Sequence, residues 1–134
     1  MSQAHLSVLV QLARADGEVA EQELQLIKQI GQANGLPSEM VQAAIENPVS
    51  ENDIDFEVLT NDERFEYIYS LVQLMKADGK LYQEEIRFTA QMAARLGYDE
   101  AVLFELITRV YSDPHINTEK HKVKAEVQQY LKQA

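Results

Sequence analysis

Apolar residues recur along this chain at helical spacing, and no stretch alternates with period two for long enough to predict a strand. Leu9, Leu12 and Ala13 share one face of a first helix expected over about 2–15. Leu24, Ile27 and Ile30 do the same in a second, over about 21–34. Gly35 ends that helix, and Pro37-Ser38 opens a third that runs to about Glu46. An acidic connection follows, with one short turn expected at 54–59. Thr60 or Asn61 caps a fourth helix carrying Phe65, Ile68, Val72 and Met75. Ile86, Thr89, Ala93 and Leu96 define a fifth that ends at Gly97, and Val102, Leu106, Ile107 and Val110 a sixth over about 99–111. Asp113-Pro114 breaks the chain, and Asn117 or Thr118 caps a last helix carrying Val123, Val127 and Tyr130. The pattern predicts an all-α fold in one domain, with neighbouring helices packed antiparallel.

The pattern also repeats. When the sequence is laid on itself with Leu9 over Leu71, Leu9-Val10-Gln11-Leu12-Ala13-Arg14-Ala15-Asp16-Gly17 falls on Leu71-Val72-Gln73-Leu74-Met75-Lys76-Ala77-Asp78-Gly79. The correspondence continues through Glu23 and Glu85, Leu24 and Ile86, Gln29 and Gln91, and Gly35 and Gly97. Self-similarity at a fixed offset predicts two copies of one helical unit, over about 3–50 and 62–116, with a C-terminal helix at 118–132 added.

Charge changes this picture because it is uneven. The formal net charge of −10 is carried by positions 1–63, where 12 acids face only Arg14 and Lys28; the rest of the chain balances 10 acids with 10 bases. That half would repel a polyphosphate, so a nucleic-acid partner is not expected, whereas cations and basic protein surfaces are. There is no cysteine, which removes disulfides, thiolate metal sites and a Cys nucleophile. No apolar run reaches the ~20 residues that span a bilayer, and the N-terminus does not read as a signal peptide. The cytoplasm is the expected location. Peripheral membrane association, through the basic patch Lys120, Lys122 and Lys124, and a homodimer both stay open.

Chemistry concentrates at the two Asp-Gly turns. Asp-Gly followed by an apolar residue and, six after the Gly, a Glu is the second half of a calcium-binding EF-hand loop. Its first half is missing, because Leu12 and Arg14 in one turn, and Leu74 and Lys76 in the other, stand where two oxygen ligands are needed. A weaker site for Ca²⁺ or Mg²⁺ remains, using Asp16, Glu23 and Glu18 in the first turn and Asp78 with Glu85 in the second, where Lys80 replaces Glu18. A purely structural reading stands beside it: Gly17 and Gly79 stop helices, and Glu23 and Glu85 meet unpaired N–H groups in the first turn of the next helix.

The doubled sequence Ala15-Asp16-Gly17-Glu18-Val19…Glu23 and Ala77-Asp78-Gly79-Lys80-Leu81…Glu85 resembles the TerB-like family, that of the tellurite-resistance protein TerB and the N-terminal domain of the co-chaperone DjlA. The resemblance covers nearly the whole chain. It implies a bundle of about seven helices with pseudo-two-fold symmetry, acidic clusters that take metal ions, and a role in stress response or partner assembly. By position, the acids it carries over are Asp16, Glu18, Glu23, Asp78 and Glu85. The sequence departs from the family at Ala20 and Tyr82, where a Ser or Thr would form a capping box with the motif Glu, and at Lys80. It also has no His-Pro-Asp triplet of a J-domain.

The remaining features read as structural. His5, His115 and His121 lack the i, i+4 spacing of a helical zinc site and are expected on the surface. The aromatic residues gather in the second half, mostly as core, and would mark a partner groove if exposed together. No phosphate-binding loop or nucleophile elbow is present. The expectation is therefore a non-catalytic module that binds a divalent cation weakly, a protein partner, or both. The alternatives are a pure interaction scaffold and, last, a hydrolase built on clustered carboxylates, which would need a deep pocket and a raised carboxyl pKa.

Overall fold

The computed structural model describes residues 2–15, 21–50, 53–76, 83–110 and 120–131. They form α1 (Gln3–Ala13), α2 (Glu21–Ala33), α3 (Ser38–Glu46), α4 (Asn61–Met75), α5 (Gln83–Arg95), α6 (Val102–Arg109) and α7 (Lys120–Val127). Short 3-10 turns lie at Phe56–Val58 and Gln128–Tyr130. Among the described residues there is no strand, only one isolated bridge between Tyr98 and Leu131.

Two helices form the centre. In α1 the residues from His5 to Val10 are all buried, as are Leu12 and Ala13. In α4 every residue from Tyr67 to Met75 is buried. The amphipathic face expected of α1 is thus too narrow a reading, because a helix apolar on all sides belongs inside. α1 and α4 pack on each other. α2 and α3 pack on α1, and α5 and α6 pack on α4. The sets interlock, since α2 also touches α4 and α5 also touches α1.

Local chemistry fixes the helix ends. Ser2 Oγ accepts the His5 N–H at the start of α1. Thr60 caps α4 in a full capping box, its hydroxyl accepting the Glu63 N–H while Glu63 accepts the Thr60 N–H. α2 and α5 end alike. Gly35 and Gly97 have φ of +78° and +91°, where only glycine is unstrained. The Gly35 N–H donates to Gln32 O and the Leu36 N–H to Gly31 O, both at 3.0 Å. The Gly97 N–H donates to Ala94 O and the Tyr98 N–H to Ala93 O at 3.0 and 2.9 Å. Both are Schellman caps, and they fall at corresponding positions of the sequence repeat.

Two boundaries differ from expectation. α6 is shorter than the 99–111 of the sequence pattern, because the Asp99 carboxylate accepts the Ala101 N–H and the Asp99 N–H is drawn to the Tyr130 carbonyl. An Asx turn thus occupies what would be the first helical turn. The last helix stops at Val127 and tightens into a 3-10 turn through Tyr130. Its caps Asn117 and Thr118, and the break at Asp113-Pro114, lie outside the described residues.

Candidate functional site

Of the five acids singled out by sequence, Glu23 and Glu85 lie within the described residues; Asp16, Glu18 and Asp78 lie outside them, as do Ala20, Lys80 and Tyr82. Glu23 is the third residue of α2 and Glu85 the third residue of α5. Both are buried, with 3% and 1% of their surface exposed. The other first-turn acids in the two helices, Glu21 and Glu84, are exposed. The chain thus buries one carboxylate at the same register of both helices, close behind each Asp-Gly. Among the described residues no three acids or histidines converge as a metal-binding group.

The residues flanking the Asp-Gly sequences have a structural task. Arg14, which follows α1, donates from Nη2 to the Ile45 carbonyl near the end of α3 at 3.0 Å. Lys76, which follows α4, donates from Nζ to the Ile107 and Val110 carbonyls at the end of α6, both at 2.7 Å. Cations at helix C-termini satisfy orphan carbonyls and the negative end of the dipole. This is why bases occupy places where an EF-hand needs oxygen.

A second polar centre lies between the start of α1 and α4, and it corrects the expectation for His5. The His5 ring is buried and stacks on Tyr67 with centroids 4.0 Å apart and planes 9° from parallel. His5 Nε2 lies 2.6 Å from Ser70 Oγ, which in turn is 2.9 Å from Glu66 O and 3.0 Å from Tyr67 O. The serine proton goes to those carbonyls, so we assign the His5 proton to Nε2, which donates to Ser70. Burial, helped by the N-terminal amino group and Lys120, pushes the His5 pKa down to about 3. Burial also raises the Tyr67 and Tyr69 hydroxyls. It pushes Tyr98 up to about 12. Glu63 is held below its usual value by its hydrogen bonds to Thr60. Nothing in residue spacing marks His5; the one signal is its place at the head of the apolar run Leu6–Leu12.

Beside this stack is an open pocket of about 410 Å³ with Leu59 and Tyr67 in its wall and Asp62, Glu63 and Glu66 among its lining residues. Two of these acids anchor α7. Lys120 pairs with Glu66 at 2.9 Å, and Lys124 with Asp62 at 2.5 Å. The basic patch on the last helix is therefore partly an intramolecular clamp.

These features define a class: an all-helical bundle with a buried central helix pair and, in two helices at corresponding places of the sequence repeat, a buried glutamate just after an Asp-Gly sequence. The family of the tellurite resistance protein TerB matches over residues 2–108. The chain belongs to that family. No curated protein and no solved structure matched it. No helix among the described residues is long and apolar enough to cross a membrane.

Proposed function

We propose that this chain is a non-catalytic member of the TerB family that binds a protein partner, and whose two Asp-Gly sequences, with Glu23 and Glu85, hold a divalent cation weakly. The observation that carries the cation reading is the burial of Glu23 and Glu85 at one register of α2 and α5. The other first-turn acids, Glu21 and Glu84, face solvent, so the burial is particular to Glu23 and Glu85. A buried carboxylate keeps its charge where partners face it, and a cation would add to those the fold already gives Glu23 and Glu85. Asp16 and Glu18 would complete the first site, and Asp78 the second. With three or fewer protein oxygens per site and water in the remaining positions, affinity would be low. The second site, with Lys80 nearby, would be the weaker.

The alternative is a pure interaction scaffold in which Asp16-Gly17 and Asp78-Gly79 only stop helices. The helix-capping tasks of Arg14 and Lys76 favour it, since they give the residues just before each Asp-Gly a use in the fold. A hydrolase built on clustered carboxylates ranks last. Thermal unfolding separates the first two. For a site with a Kd of ~1 mM, ~10 mM Ca²⁺ adds about 1.4 kcal/mol, which is ~5 °C in Tm for a domain of this size. The rise should shrink in Asp16→Ala to the smaller contribution of the second site, and vanish when Asp78→Ala is added. No rise in the unsubstituted chain removes the cation reading and leaves the scaffold.

A further inference from the structure

α7 is fastened by fewer buried side chains than the two central helices are. α1 and α4 bury most of their side chains, whereas α7, like α3 with Val41 and Ala44, buries only two, Val123 and Val127. Its other attachments are ion pairs, while the turn that follows it is held by the Asp99–Tyr130 hydrogen bond and the Tyr98–Leu131 bridge. Lys120 reaches Glu66, Lys124 reaches Asp62, and Glu126 meets Arg109. The acids of these pairs are open to water, Asp62 to 72%. Such pairs are weak and screened by salt, so they add little to the hold that Val123 and Val127 give α7.

The seat that α7 occupies has a definite chemistry. Lys120 Nζ lies 4.9 Å from the centre of the Tyr69 ring, so lifting α7 would bare an aromatic surface. Asp62 and Glu66, the two carboxylates that grip α7, also line the 410 Å³ pocket. They can therefore be reached from the pocket while α7 is still seated. A cationic side chain entering there would compete with Lys120 and Lys124 for the same oxygens. The pattern that fits is written in α7 itself: lysine at one position, valine three later, lysine four later and valine seven later. That is one face of an amphipathic helix.

We propose that the α7 seat and its acidic pocket form a docking site for a basic amphipathic helix of a partner protein, and that α7 is the built-in occupant which such a helix displaces. The proposal rests on the reading of the chain as a partner-binding module and is independent of its cation sites. A cation response without peptide binding would therefore sink this proposal and leave the other standing.

The probe is a fluorescein-labelled peptide with the sequence of residues 118–131, followed by anisotropy against the full chain. Binding should be at least tenfold tighter to the Lys120→Glu, Lys124→Glu chain, whose own helix is repelled, than to the unsubstituted one. It should be lost in Asp62→Lys, Glu66→Lys. No binding to a Lys120→Glu, Lys124→Glu chain that still unfolds cooperatively overturns the proposal. Should that variant not fold, hydrogen exchange on the unsubstituted chain decides. Amides 120–127 exchanging a hundredfold faster than those of α1 and α4, and faster still in high salt, support the proposal; equal protection contradicts it. A doubled mass in light scattering would give the seat to α7 of a second copy, and would equally overturn the partner reading.

Discussion

The Lys76 ammonium donates to the Ile107 carbonyl at 2.7 Å, and the Arg14 guanidinium donates to the Ile45 carbonyl at 3.0 Å. Each base precedes its acceptor by the same interval along the chain, and the two contacts fall at corresponding positions of the sequence repeat. Each sits between the end of a central helix and an Asp-Gly, and each ties down the last turn of the second helix that follows, α3 or α6. A sequence position that argues against one function thus has a clear physical use in another.

Lys76→Met keeps the aliphatic stem and removes the charge. Two short charge-assisted bonds to the Ile107 and Val110 carbonyls are lost. Hydrogen bonds to charged groups contribute about 1.5–3 kcal/mol each, and partly solvated carbonyls find water, so a loss of ~2–3 kcal/mol is expected. Urea unfolding should show a lower midpoint at unchanged slope, and Lys76→Arg should recover much of it. A midpoint unchanged in Lys76→Met would remove the capping role.

His5 makes stability depend on pH. Its folded pKa, about 3, is below the unfolded value of 6.5, so below pH 6.5 the unfolded chain takes up the proton first. The contribution of neutral His5 is whole above pH 6.5 and is lost as pH falls toward 3. Each unit of pH inside that window costs about 1.4 kcal/mol, or ~2 kcal/mol between about pH 7 and 5. His5→Gln, neutral throughout, should lack this part of the decline. Urea midpoints at the two ends of that interval measure the difference, and parallel declines in the two proteins would put His5 in a solvated position.

Gly31 lets α2 approach α3. A Cβ there would lie 2.7 Å from Val41 Cγ2, closer than carbon atoms tolerate. Gly31→Ala should therefore destabilise by ~1–3 kcal/mol despite the better helix propensity of alanine. Val41→Ala alone costs packing, yet in the double variant the two losses should be less than additive. Strict additivity in denaturant unfolding would mean that the helices do not meet at this point.

Much of the fold is legible in the residues. α2 and α3 begin and end within a residue of where Gly35, Pro37 and the apolar spacing put them. Thr60 and Asn61 both read as possible caps of α4, and the capping box with Glu63 selects Thr60. α6 is not fully legible, because the turn at Asp99 depends on a contact with Tyr130 that lies far along the chain. His5 reads as a surface residue for the same reason: its partners Tyr67 and Ser70 belong to α4, distant in sequence. Likewise, α7 reads as a solvated basic helix until α4 is placed beneath it. At the acidic sites, repeat spacing picks out Glu23 and Glu85, and the fold buries both. What spacing alone does not convey is burial, which depends on how α1 and α4 pack.

Calorimetric titration of the chain with Ca²⁺ and Mg²⁺, beside Glu23→Gln and Glu85→Gln, tests the central reading most directly. Weak binding with a Kd of about a millimolar is expected, reduced at least tenfold by Glu23→Gln and less by Glu85→Gln, both variants remaining folded. Absence of heat in the unsubstituted chain, or heat that neither substitution alters, would contradict it.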